Sequence, residues 1–132
     1  MNKALCLCGS KKPYAACCEP FHLGAAFPAS AEQLMRSRYS AYALQLKDYL
    51  LQTWDKTTRP GNFSFESGLQ WRKLRIVKTK QGTEKDAKGM VVFRAEYELD
   101  GESGIEKGVM SEKSWFKRDA DGHWVYVSGE VS

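Results

Sequence analysis

The chain has 132 residues, a formal net charge of +4, and charged residues at 27% of its composition. This length allows one moderate domain plus a small appendage, and the charge is too low to argue for a nucleic-acid-binding protein. No apolar run approaches the ~20 residues of a membrane span, and the first residues, Met1 to Leu5, lack the apolar region of a signal peptide.

All four cysteines of the chain lie between Cys6 and Cys18, in the pattern C-x-C, eight residues, C-C. Two short ligand pairs separated by a loop suit the closed tetrahedron that structural Zn²⁺ prefers. Gly9 permits a tight turn after the first pair, and Lys11 and Lys12 would offset the negative charge of the thiolates. The sequence therefore predicts one structural zinc ion with the ligands Cys6, Cys8, Cys17 and Cys18.

Other interpretations of this cysteine cluster stay open at the level of sequence. Disulfides between adjacent or next-but-one cysteines are strained, and redox pairs more often have C-x-x-C spacing. His22 follows Cys18 by four residues, so it is either a substitute for that ligand or a polar surface residue. Thiols that hold a metal must stay reduced, which predicts a cytoplasmic location.

The cysteine-rich stretch resembles the SEC-C motif, the zinc hook at the C-terminus of the SecA preprotein translocase ATPase and in many otherwise unrelated bacterial proteins. The matching residues are Cys6, Cys8, Gly9, Ser10, Tyr14, Cys17 and Cys18. The chain departs from the motif at Lys11, where a second glycine is usual, and at Pro13, which replaces a basic residue. The resemblance implies a zinc-binding hook that contacts another protein.

A connector and a helical region follow the hook. Phe21, Leu23 and Phe27 are too apolar for a free linker, so we expect them to dock the hook on the main domain. The chain is therefore divided into residues 1–27, the hook with its connector, and residues 28–132, the main domain.

Ser30 begins the helical region as an N-cap, and Gln33 completes a capping box. Apolar residues then recur at steps of three and four, which predicts a long amphipathic helix or two abutting helices with a break near Asp48. These residues are Met35, Tyr39, Tyr42, Ala43, Leu46, Tyr49, Leu50 and Trp54. Residues 55–68, which contain proline and glycine, are predicted to form a loop.

From Leu69 the apolar pattern changes to a period of two, which indicates strands. The predicted strands cover residues 69–80, 89–99, 105–117 and 123–129. Their short connections predict a four-stranded antiparallel meander, with a bulge at Gly108. Helices that precede such a sheet favour an α+β fold with the helices on one face of the sheet.

Two segments of the main domain carry a wider resemblance. They are Leu34–Tyr42, and the pattern Glu112-x-Ser114-x-Phe116 followed by Gly122-x-Trp124-x-Tyr126-x-x-Gly129. In both, the chain is similar to the YchJ-like (UPF0225) family of small bacterial proteins. The resemblance implies an NTF2-like fold, in which helices pack into the concave face of a bent sheet to form a cone, often with a pocket at its open end.

Such a cone would place polar residues among aromatic ones. Glu112 would be either a general base or the partner of Arg36 or Arg38, and Arg36 could instead bind a carboxylate or phosphate ligand. The predicted pocket residues are Arg36, Tyr39, Tyr42, Trp54, Glu112, Ser114, Trp124 and Tyr126. The aromatic residues among them are equally what the core of a domain this size needs. His123 is predicted to face solvent without a catalytic partner.

The sequence supports two functions of different classes. The first is an adaptor that contacts another protein through the zinc hook, without a catalytic residue. The second is a small-molecule receptor or an enzyme, such as an isomerase or hydratase, that uses the pocket of the cone. Four cysteine ligands leave zinc no open position for water, so the metal would be structural in both.

Several lysines cluster near one hairpin: Lys78, Lys80, Lys85 and Lys88. They predict a solvated end of the sheet, with nucleic-acid contact as the minor alternative.

Overall fold

The computed structural model describes residues 4–131, in which four helical segments precede four strands. Residues 1–3 and 132 lie outside this part. The sequence-based statement about a signal peptide concerns residues 1–5 and therefore falls mostly outside the described residues. The helical segments are a 3₁₀ turn Tyr14–Ala16, α1 Glu19–His22, α2 Ala31–Leu44 and α3 Lys47–Gln52. The strands are β1 Leu69–Gln81, β2 Lys88–Gly101, β3 Gly104–Arg118 and β4 Trp124–Val131. All are antiparallel in the order β1-β2-β3-β4, which confirms the α+β prediction.

Helix α2 begins and ends through local hydrogen bonds. The Ser30 hydroxyl accepts from the Gln33 N–H at 3.1 Å, and the Gln33 side chain accepts in return from the Ala29 N–H at 2.8 Å. The helix ends at Leu44, and its C-cap Gln45 has a left-handed φ of 59°. The chain therefore turns at Gln45, and Asp48, near which a break was predicted, lies in the first turn of α3. In the described part of the chain, no helix has the length and apolarity needed to cross a membrane.

The core lies between α2 and the concave face of the sheet. Its buried residues are Ala31, Leu34, Met35, Tyr39, Leu74, Val91, Phe93, Ala95, Phe116 and Trp124. The indole N–H of Trp124 donates to the Ala29 carbonyl at 3.1 Å, which ties β4 to the start of α2. A second cluster, formed by Ala41, Tyr49 and Leu50, packs under the loop that leads into β1.

The sheet bends at irregularities in its pairing. The β1–β2 register shifts between Trp71 and Lys73 and again between Ile76 and Lys78. Gly108 pairs with Tyr97 without any shift, so the predicted bulge at that glycine is wrong. A Cβ at Gly108 would collide with the Tyr97 ring, which shows that this glycine makes room for an aromatic side chain on the neighbouring strand.

Candidate metal centre and cone cavity

A tight loop brings the sulfur atoms of the four cysteines together. The Cys6 N–H donates to the Lys12 carbonyl at 2.8 Å, which closes the loop. Gly9 has a φ of +83°, and a Cβ there would approach the Leu74 carbonyl to 3.2 Å, so glycine is required. The four Sγ atoms all lie within 4.8 Å of one another, and no cysteine forms a disulfide.

The spacing of the sulfur atoms suits a tetrahedral metal. The Cys8 and Cys17 Sγ atoms are 3.6 Å apart, and those of Cys17 and Cys18 are 3.9 Å apart. A tetrahedral zinc with Zn–S bonds of about 2.3 Å has S–S edges of about 3.8 Å. The donor set therefore fits one metal ion of this size at its centre.

The thiols are electrostatically coupled. The hydrogen bond from the Cys18 thiol lowers the pKa of Cys8 to about 4, and the same pairing, with burial, raises the pKa of Cys18. Burial is the main cause that raises the pKa of Cys6. Without a cation, the cluster therefore keeps part of its protons, and a metal ion that binds all four thiolates must displace them.

Groups around the cysteines connect the hook to α2. The Arg36 guanidinium donates to the Cys8 carbonyl at 2.7 Å. His22 accepts from the Tyr14 hydroxyl at 2.6 Å through Nδ1 and donates through Nε2 to the Ser37 carbonyl at 2.8 Å. Both ring nitrogens of His22 thus have other partners, and His22 is not among the residues whose ligand atoms converge on the metal position.

The connector docks only in part. Phe21 packs against the cluster of Tyr49 and its neighbours, and the Phe27 ring stacks on His123 with centroids 3.8 Å apart. Leu23 is 75% exposed, so its predicted docking role is wrong. The reason is local: α1 ends at the preceding residue, and Leu23 forms its C-cap with the side chain in solvent.

A cavity of about 200 Å³ lies inside the cone, between α2 and the sheet. Its wall is mostly apolar, with a few polar groups. The lining residues are Met35, Arg38, Tyr39, Tyr42, Trp71, Phe93, Ala95, Met110, Glu112, Ser114 and Tyr126. Most ligand pockets measure about 300–1,000 Å³, so this cavity suits only a small ligand.

Arg38 is the cation of the cavity. Its side chain is buried, with Nη1 donating to the Leu50 carbonyl at 2.8 Å and to the Thr53 hydroxyl at 2.7 Å. The guanidinium also lies 5.0 Å from the centre of the Trp54 ring and 4.8 Å from that of Tyr126. Burial lowers its pKa. Within residues 4–131, no carboxylate lies within 4.0 Å of it, so the charge is held by dipoles and rings.

The acidic wall of the cavity is separate from this cation. Glu112 accepts a hydrogen bond from the Ser114 hydroxyl, and the Tyr126 hydroxyl lies 3.5 Å from the same carboxylate oxygen. Tyr39 also lines the cavity, and its hydroxyl is buried with no hydrogen-bond partner among the described residues. Burial raises the pKa of Tyr39, so the group stays protonated and can donate.

The comparisons with known proteins agree with this architecture. Residues 30–129 match the family described as YchJ, middle NTF2-like domain, and residues 3–20 match the SEC-C motif. A UPF0225 protein of Corynebacterium efficiens is 40% identical over 127 residues, which cover 96% of this chain and 93% of that protein. The chain belongs to the YchJ-like (UPF0225) family.

Further relatives extend over nearly the whole chain. A UPF0225 protein of Chromobacterium violaceum is 43% identical over an alignment of 134 positions, gaps included, which covers 98% of this chain and 95% of that protein. The solution structure of a SEC-C motif containing protein from Rhodopseudomonas palustris superposes with a TM-score of 0.80 at 32% identity, covering 96% of this chain and 98% of that one. A crystal structure from Psychrobacter arcticus, with a TM-score of 0.70 at 21% identity, covers 97% and 82% of the two chains and shows the shared fold alone.

In this YchJ-like chain, the predicted pocket residues fall into two groups. Tyr39, Tyr42, Glu112, Ser114 and Tyr126 line the cavity. Three others do not. The Arg36 side chain reaches the hook, Trp54 lies behind the Arg38 guanidinium, and Trp124 is buried in the core.

The sequence prediction chose the wrong arginine for the cavity: it named Arg36, whereas Arg38 lines the cavity. Helical geometry puts Arg38 on the face of Met35 and Tyr42, because residues three and four apart are neighbours. It puts Arg36 on the face of Glu32, to which its Nε donates at 3.1 Å. The steps of three and four that located the apolar residues of α2 would thus have selected Arg38 as the cavity residue.

Proposed function

We propose that the protein binds one zinc ion through Cys6, Cys8, Cys17 and Cys18, and that the zinc-held hook docks another protein. The convergence of four thiols, with all sulfur atoms within 4.8 Å of one another, supports the metal site. Soft thiolate ligands favour zinc over harder cations, and a closed set of ligands favours a structural role. A cytoplasmic location, where thiols stay reduced, belongs to this proposal.

The docking face is the outer side of the hook. Leu5 and Leu7 flank the buried Cys6 and are 59% and 47% exposed, although both are apolar. Lys11 and Lys12 are exposed on the same small loop. A metal-held loop this short presents these side chains at low entropic cost, which favours a partner with an apolar spot and acidic groups beside it.

Metal analysis of the purified full chain tests the first half of the proposal. We expect one zinc per chain, and we expect the double variant Cys17→Ala/Cys18→Ala to lose it while the main domain stays folded by circular dichroism. A wild-type chain that takes up no zinc after reduction and reconstitution would contradict the metal site.

Affinity capture from bacterial lysate, followed by titration of the captured protein, tests the docking half. We expect Leu5→Ser/Leu7→Ser to abolish capture without loss of zinc. The matched control is Leu23→Ser, which removes an exposed leucine outside the cysteine loop and should bind as the wild type does. Capture that survives both Leu5→Ser/Leu7→Ser and zinc removal would show that the hook is not the docking surface.

A second function, binding of a small ligand in the cone, has one observation in its favour. The cavity contains the buried Arg38 cation and is lined by Tyr39, whose hydroxyl has no partner in the described part of the chain. Buried hydroxyl groups are normally hydrogen-bonded, so an unpartnered one on a residue that lines a cavity favours a ligand with a hydrogen-bond acceptor. We propose no reaction for this cavity.

Nuclear magnetic resonance titration with small carboxylates and amides tests this second function. We expect shifts at the methyl groups of Met35 and Met110, and we expect Glu112→Gln to change the affinity without unfolding the protein. Shifts confined to the surface with every probe would reject it.

A further inference from the structure

The outward face of the sheet, opposite the cavity, carries a concentration of positive charge that the net charge of the chain does not reveal. Ser114 of β3 lines the cavity, so alternation directs its neighbours Lys113 and Trp115 outward. The strand register places Lys78 in the same cross-strand row as Lys113, and Lys80 in the same row as Trp115. Residues distant in sequence therefore form one surface.

A groove of about 530 Å³ runs across this face. Five lysines and one tryptophan line it: Lys78, Lys80, Lys88, Lys113, Lys117 and Trp115. We call it the lysine groove. The adjacent outward row adds Arg75 and Arg94, which are paired across β1–β2 and exposed. No acidic side chain lines the groove within residues 4–131.

Few carboxylates near the groove offset its charge. The Lys117 ammonium group lies 3.4 Å from an Asp55 carboxylate oxygen, and Glu130 is paired with Lys113 across β3–β4. For the other four lysines of the groove, no carboxylate of residues 4–131 lies within 4.0 Å of the ammonium nitrogen. These cations remain available to an anionic partner.

The opposite end of the same sheet differs in charge. There Arg72 forms an ion pair with Glu98, and cross-strand pairing sets Lys73 against Glu96 and Lys107 against Glu98. Opposite charges alternate, as on an ordinary solvated sheet. The concentration of lysines at the β1–β2 hairpin end is therefore a local property and not a feature of the whole outward face.

Trp115 distinguishes the lysine groove from a purely solvated patch. Its side chain is 42% exposed on a sheet surface, with the buried Met90 as its neighbour on β2. An aromatic ring held open among cations offers a stacking platform, and every nucleobase has a face that can stack on it. An acidic protein would also use the lysines, so competition by an acidic polymer is the measurement that separates the two kinds of partner.

We propose that the lysine groove binds single-stranded nucleic acid, with lysines contacting phosphates and Trp115 stacking on a base. Lysine contacts release counterions and so make the affinity depend on salt, whereas the stacking contact does not depend on base identity. Binding is accordingly independent of sequence. It uses a face that neither the metal hook nor the cone cavity occupies.

Fluorescence anisotropy of a labelled oligouridylate with the zinc-loaded full chain tests this proposal. We expect Trp115→Leu to weaken binding at least about fivefold, and Trp115→Phe to retain most of the affinity because a ring remains. We expect Lys80→Gln/Lys113→Gln to reduce the slope of log K against log salt by about 0.7 for each lysine removed. The matched control Lys73→Gln/Lys107→Gln removes the same charge from the opposite end of the sheet and should leave the slope unchanged.

Two results would overturn the proposal. One is oligouridylate binding that is unchanged in Trp115→Leu and equally weakened in both lysine pairs, which would indicate only general attraction of a basic protein. The other is polyglutamate competing as well as an unlabelled oligouridylate of equal charge, which would identify the groove as a site for acidic protein. Thermal melting of each variant is the control for folding. We expect unchanged melting temperatures, because the substituted side chains lie on the outward face of the sheet.

Discussion

At the scale of single residues, Arg36 and Arg38 show how one helix serves two ends of the molecule. They are separated by one residue, so their side chains point about 200° apart around α2. Arg36 donates to the Cys8 carbonyl in the hook, and Arg38 donates to Leu50 and Thr53 beside the cavity. The helix therefore holds one cation at the cysteine cluster and another inside the cone.

The Arg36 contact leads to the first prediction. A charged donor on the carbonyl of a metal ligand orients that ligand and offsets thiolate charge. We expect Arg36→Ala to lower zinc affinity by about tenfold or more, measured by competition with a chromophoric chelator. The control Glu32→Gln removes the other partner of Arg36 and should have a much smaller effect. Equal affinities in wild type and Arg36→Ala would show that the contact does not support the metal.

A second residue-scale prediction compares two tyrosines of the main domain. The Tyr39 hydroxyl is buried without a partner in the described residues, whereas the Tyr49 hydroxyl lies 2.7 Å from the Ser37 hydroxyl. Removing an unsatisfied buried group is favourable, and removing a bonded one is costly. We expect Tyr39→Phe to raise the free energy of unfolding, and Tyr49→Phe to lower it, each by about 1 kcal/mol. Urea denaturation measures both, and a loss of stability in Tyr39→Phe would mean that its hydroxyl is satisfied after all.

At the scale of elements, the start of α2 is fixed against the β1–β2 hairpin. The Ala31 N–H donates to the Gly82 carbonyl at 2.9 Å, and the Gly82 N–H donates to the Lys88 carbonyl at 2.9 Å. Gly82 has a φ of +77°, and a Cβ there would lie 2.8 Å from the Ala31 Cβ. Gly82 and Gly89 thus let the helix and the hairpin approach closely.

This contact gives the third prediction. A Cβ at Gly89 would lie 2.5 Å from the Gly82 Cα, which is backbone and cannot move aside. We expect Gly89→Ala to lower the free energy of unfolding by about 1–3 kcal/mol, because the helix and the hairpin must separate. Gly61→Ala is the control, since no atom lies within 4 Å of its added Cβ. Equal urea midpoints for the two variants would contradict a close-packed junction.

Elements formed by local patterns were predictable, and contacts between distant elements were not. The capping box at Ser30 and the alternation after Leu69 located α2 and the sheet, because both signals lie within neighbouring residues. The clustering of the four cysteines was visible for the same reason, because they are close together in the sequence. The bulge at Gly108 was wrong because a glycine in a strand indicates either a bulge or a close approach, and only the strand register shows that Tyr97 lies opposite.

The sequence located only part of the lysine groove, for a related reason. Net charge sums over the whole chain, and so it cannot show that cations of three strands share one face. Lys78 and Lys113 lie in one row, on either side of Val92, only through the register of β1, β2 and β3. The sequence identified the hairpin lysines as a cluster, but only the structure shows that Trp115 lies among them.

At the scale of the whole molecule, the hook and the cone are separate cores with few links. The main core contains residues of α2 and the sheet, whereas the hook cluster contains Cys6, Cys8 and Cys18 with Tyr14 and Cys17 packed against them. The links include the hydrogen bonds of Arg36 and His22, the packing of Phe21, and the ring contacts of His22 with Tyr49 and of Phe27 with His123. The boundary between residues 27 and 28 stays a prediction, but the two cores differ in what stabilises them.

Removal of zinc provides the fourth prediction. The hook has almost no apolar core, so metal binding would supply on the order of 10 kcal/mol to its folding, whereas the cone is stabilised by its own buried side chains. We expect chelation under reducing conditions to abolish the structure of residues 4–24 while amide resonances of the sheet stay dispersed. The urea midpoint of the cone should shift only slightly, since few contacts join the hook to the cone.

The double variant Cys17→Ala/Cys18→Ala should reproduce the spectrum of the chelated protein, which controls for effects of the chelator. If the hook and the sheet instead lose their resonances together, the metal holds the whole fold and the two cores are one cooperative unit.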